Sequence, residues 1–143
     1  MSAIRQVHWG RIVVAGFLSE VAVFAIFLLL RMAATLAGAP DVGRPMSALD
    51  YVDAMLSSFA MVFLFTLWLG KRFESRFMLH GALVGMVGIV LFTIMWIATT
   101  RSLSQPPLYV VAHLLKVFGG MAGGLVVARR RRRVFRIEGA QVG

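Results

Sequence analysis

The chain has 143 residues, of which 59% are hydrophobic and only 15% charged, with a mean hydropathy of +0.83. Soluble domains run at about 45–50% apolar and about 25% charged, so a water-soluble domain of this size is excluded. The formal net charge is +9, and there are no cysteines, which removes disulfides, thiol catalysis, iron–sulfur clusters and Cys-ligated zinc.

Four apolar runs follow one another along the chain. They predict membrane-spanning helices over about 12–30, 52–70, 77–98 and 108–128, followed by a basic tail over 129–143. A hydrocarbon core about 30 Å thick needs about 20 helical residues at 1.5 Å each. The runs lack two-residue alternation and are too long for barrel strands. In lipid, only a helix satisfies its backbone hydrogen bonds within one segment. The expected fold is therefore all-α, an antiparallel four-helix membrane bundle forming a single membrane domain.

The first helix carries Glu20 near its middle, nine residues after Arg11 and eleven before Arg31. Those intervals are about 14 Å and about 16 Å, which puts Glu20 close to the membrane midplane. A charge at that depth costs about 2.5–3.5 kcal/mol on insertion scales, so it should face the bundle interior and have a partner. Arg5 and Arg11 followed by an apolar run and Ala37-Gly38-Ala39 also have the outline of a signal peptide. The run is long for that purpose and contains Glu20, which favours an uncleaved helix.

A linker rich in turn residues, from Ala37 to Pro45, separates the first helix from the second. Ser57, Ser58 and Thr66 in the second helix can bond to their own backbone and need no catalytic explanation. A charged turn, Lys71 to Arg76, leads into the third helix, where Gly81 and Gly85 stand four apart with Gly88 beyond. Ser102 to Pro107 leads into the fourth. Short connections between consecutive spans imply antiparallel neighbours.

The fourth helix carries Lys116 and, three residues earlier on the same face, His113. Lys116 lies thirteen residues before Arg129, about 19–20 Å in depth, within about 6 Å of the level of Glu20. Glu20, Lys116 and His113 are thus expected as one intramembrane polar cluster between the first and fourth helices. Read functionally, such a cluster handles protons or ions. Read structurally, it is an ion pair that fixes helix register. A third reading has one of the two charges docking onto another membrane subunit.

Gly119, Gly120, Gly123 and Gly124 form two overlapping GxxxG patterns in the same helix. With Gly81 and Gly85 they mark helix packing, either within the bundle or between copies. None forms a phosphate-binding loop, which needs a strand before and a water-exposed helix start after.

Arg129, Arg130, Arg131, Arg132 and Arg133 follow at once, with Arg136 nearby. Eleven Lys and Arg fall on one side of the spans and three on the other, with Lys116 between. This bias predicts cytoplasmic N and C termini in a bacterial-type inner or plasma membrane. The arginine run is expected to anchor topology and to touch anionic phospholipids. Nucleic acid is not an expected partner, since no reader module or set of stacking aromatics accompanies the arginines.

His8 and His80 both lie near the basic side. They carry no motif that would assign a haem, so no cofactor or metal is expected. No catalytic spacing is present, and the expectation is a non-enzymatic accessory, assembly or regulatory membrane subunit, in a homo-oligomer or a larger complex. The alternative is a small proton- or ion-coupled transporter or channel that uses Glu20, Lys116 and His113. A membrane-embedded enzyme or haem carrier ranks third.

Overall fold

The computed structural model describes residues 8–39, 48–71 and 76–141, and the side chains within 8–39, 50–71 and 76–132. It is all-helical: α1 (Trp9–Leu36), α2 (Ala48–Gly70), α3 (Phe77–Thr100) and α4 (Pro107–Gln141). Each contains a stretch long and apolar enough to cross a membrane. Parts of both the 37–45 linker and the 71–76 turn, with Arg5, Arg44 and Arg136, lie outside the described side chains.

Two helices run well past their apolar runs. α1 continues to Leu36, through Arg31, and stops where Gly38 takes a positive φ of 71° just beyond the Ala37 cap. α4 continues through the arginines to Gln141, so the basic tail is largely a helical extension. Arginine is a strong helix former, and nothing in that segment breaks the ladder.

The neighbours can be read from which backbones touch. Gly81 lies against Gly120, Gly85 against Lys116 and Gly124 against Phe77, so α3 and α4 are antiparallel. Gly119 meets the Phe59 carbonyl and Gly123 the Phe63 carbonyl, so α2 and α4 run in the same direction. Gly16 meets Val84 and Val87, placing α1 alongside α3. α1 also packs on α2, whereas no backbone contact joins α1 to α4 among the described residues. The order around the bundle is α1, α2, α4, α3, with α1 and α4 on a diagonal.

The two halves of this bundle differ. The basic half holds the start of α1, the end of α2, the start of α3 and the end of α4. Its core is Ile12, Ala15, Val62, Leu69 and Val84, all buried. In the opposite half, no residue of α1 from 21 to 36 and none of α3 from 89 to 100 is buried. The glycines explain the first half. An added Cβ at Gly81 or Gly120 would run into the partner's carbonyl, and one at Gly85 would lie 2.6 Å from the Lys116 carbonyl oxygen. Only glycine lets these backbones come so close. On Arg131, a guanidinium nitrogen donates to the Lys71 carbonyl at 3.1 Å, and its carbon stands 5.1 Å over the Phe77 ring, tying this end of α4 down.

Candidate functional site

The buried charges meet across the diagonal. Lys116 Nζ lies 2.9 Å from each carboxylate oxygen of Glu20. Lys116 is 2% exposed and Glu20 14%. α1 and α4 do not touch here, so both side chains must reach across the bundle, and α3 makes the room. A Cβ at Gly88 would stand 2.6 Å from Glu20 Oε1, so the missing side chain there is the space the carboxylate fills. Gly85, one helical turn away, seats the Lys116 backbone. Lys116 Nζ also sits 4.9 Å from the centre of the Phe92 ring.

His113 makes no direct hydrogen bond to this pair among the described residues. Its Nε2 is hydrogen-bonded to Gln105 Oε1 at 2.9 Å, and its ring meets Phe92 edge-on at 5.2 Å. Lys116, whose backbone lies against Gly85, reaches away from the arginine end to Glu20 beside Gly88. His113 lines the same cavity as the pair and shares the Phe92 ring with Lys116.

Above the ion pair the four helices separate around a cavity of about 460 Å³. Glu20 and Lys116 form its floor. One wall is an aromatic group from α3 and α4, in which Phe92 lies 5.1 Å from Tyr109 and Trp96 lies 5.5 Å from Tyr109. Facing it, α1 contributes Phe24 and Phe27, and Phe17 lines it about one turn to the basic side of Glu20. The first turns of α2 contribute Asp50, Asp53 and Ser58.

Asp50 and Asp53 are absent from the site read in the sequence. Both are buried, at 5% and 6% exposure. Asp50 faces Arg31 of α1 at 3.4 Å, and Arg31 stands 5.5 Å over the Phe27 ring. Beside Asp53, the Ser57 hydroxyl donates to the Asp53 backbone carbonyl. Asp53 Oδ1 is buried without a hydrogen-bond partner. The signal in the sequence was the three-residue spacing of two acids followed by Ser57 and Ser58, one face of a helix inside the predicted second span.

The packing glycines Gly81, Gly85, Gly119, Gly120, Gly123 and Gly124 all face neighbouring helices of this same chain. Arg129, Arg130 and Arg132 lie on α4 past the close-packed half, Arg131 is engaged as above, and the Arg133 side chain lies outside the described residues. The His8 and His80 rings are 6.3 Å apart, tilted by 44°. Among the described residues no group of three or more His, Cys, Asp or Glu is placed to hold a metal ion.

No protein-family model matches the chain, and no curated protein or solved structure matches it.

Proposed function

We propose that this chain is a four-span integral membrane protein that acts by binding a small molecule in the cavity of its less packed half. Its two ends and the arginine cluster lie on the cytoplasmic side, so the cavity occupies the outer half of the bilayer. The Lys and Arg bias supports this orientation. The reading belongs to the transporter and receptor class rather than to enzymes.

The observation that carries it is the cavity itself. A volume of about 460 Å³ lies within the range of small-molecule sites, about 300–1,000 Å³. Its lining is mostly apolar with a few convergent charged groups, which is the usual make-up of such a site. The floor sets the direction of access. Below Glu20 and Lys116 the glycines bring the α3 and α4 backbones together, which supports reading the cavity as a one-sided vestibule. Passage would need the ion pair to part and α4 to move from α3.

Fluorescence of Trp96 tests this. Trp9 and Trp68 are 51% and 53% exposed and far from the cavity, so phenylalanine at both leaves Trp96 as the reporter. A saturable change on adding a small aromatic probe, lost when Ala112→Phe fills the cavity, is the expected outcome. A non-saturable change, equal in the filled variant, would overturn the reading.

The accessory or assembly reading stands second. What favours it is α1, whose Val13, Val14, Phe17 and Leu28 are all about half exposed along one helix. Native mass in mild detergent separates the two: a stable complex with a different protein favours the subunit reading.

A further inference from the structure

Resting on the cavity as a binding site, we infer that its ligand is a lipophilic organic monocation, an amine or quaternary ammonium, held by Asp53 against the aromatic wall. Three carboxylates line the cavity. Lys116 balances Glu20 at 2.9 Å, and Arg31 balances Asp50 at 3.4 Å. No described cation pairs with Asp53, whose Oδ1 is buried and lacks a hydrogen-bond partner. A buried carboxylate that stays ionised needs a counter-charge, and in a low-dielectric site that requirement is strong. No cation among the described residues balances Asp53, and the ligand would supply that charge.

The surroundings specify what kind of cation. Ring faces attract ammonium groups within about 6 Å, most strongly when water is excluded. Phe92, Trp96 and Tyr109 form one such wall, and Lys116 already uses the Phe92 ring in this way. A hard metal ion would want about six oxygen ligands, and an apolar cavity with one unmatched carboxylate does not supply them. An anion would meet three carboxylates. A neutral molecule would fill the space but leave Asp53 unbalanced. The volume leaves room for an apolar body several rings in size beside the charged group.

The test uses the full chain carrying Trp9→Phe and Trp68→Phe, in discs of zwitterionic phosphatidylcholine. Three probes of similar shape are titrated: benzyltrimethylammonium, its neutral isostere neopentylbenzene, and the anion phenylmethanesulfonate. Each is corrected for partition into protein-free discs. Benzyltrimethylammonium should bind at least about tenfold tighter than the neutral isostere, and the sulfonate should not bind. Asp53→Asn should remove the preference for the cation while leaving neutral binding in place. A neutral isostere that binds as tightly as the cation would overturn the inference and leave the binding reading standing. A preference that survives in Asp53→Asn would also overturn it. Binding of none of the three would overturn both. Should Asp53→Asn fail to fold, the three-probe series on the unsubstituted residue decides the matter alone.

Discussion

The half of the bundle near the arginines and the half above Glu20 are built from the same four helices, yet one is closed and the other open. In the first, glycines on α3 and α4 bring backbones into direct contact, as at Gly81 and Gly120. In the second, Phe92, Trp96 and Tyr109 occupy the corresponding faces. Small residues draw helices together in lipid, where apolar burial alone gives no drive to associate, and large rings hold them apart. The boundary falls at the Glu20–Lys116 pair, which spans the diagonal at the level where the packing changes. Side-chain size therefore decides where this bundle is solid and where it has room for a ligand.

Substitutions sharpen this contrast, and stability can be read by unfolding in mixed micelles. The largest effect belongs to the boundary. Lys116→Met leaves a buried Glu20 carboxylate alone and should cost about 3–5 kcal/mol. Glu20→Gln in the same chain should recover most of that loss. Simple additivity of the two would break the account of the pair. Next comes the packed half, where Gly120→Ala should cost about 1–3 kcal/mol because the methyl meets the Gly81 carbonyl. Gly10→Ala, where a Cβ meets nothing within 4 Å, should be harmless or slightly stabilising. In the open half, Ala112→Phe should cost less than Gly120→Ala although it adds far more volume, because the cavity can take the ring. If the order were reversed, the two halves would not differ as described.

The helices were legible because lipid imposes a length and a composition that few other constraints imitate. The pairing of the two charges was legible too: counting residues placed Glu20 and Lys116 within side-chain reach, and their charged atoms lie 2.9 Å apart. The sense of the offset was not, since Lys116 lies against Gly85 and the Glu20 carboxylate against Gly88, further from the basic end. The order of helices around the bundle was not legible. Spacing gives the face a residue occupies but not which neighbour that face meets, so the diagonal crossing and the role of Gly88 appear only in the fold. His113 shares a helical face with Lys116, yet pairs with Gln105, a partner outside the apolar run. Asp50 and Asp53 were passed over because acids at the start of a span read as interface residues. Their burial depends on α1 and α4 packing over them, which composition does not reveal.

The most direct test of the open half uses the absence of native cysteine. Ser58 and Thr66 both lie on α2, both are buried, and they are eight residues apart, about 12 Å along the helix. Exposure does not distinguish them, but Ser58 lines the cavity and Thr66 packs against Gly81 and Gly123. Ser58→Cys and Thr66→Cys are each treated, in oriented membranes, with a small cationic thiol reagent from one side at a time. The account predicts that the cysteine at 58 reacts from the side opposite the arginine cluster and the cysteine at 66 from neither. Equal reaction at both positions, or reaction at 58 only from the arginine side, would contradict it.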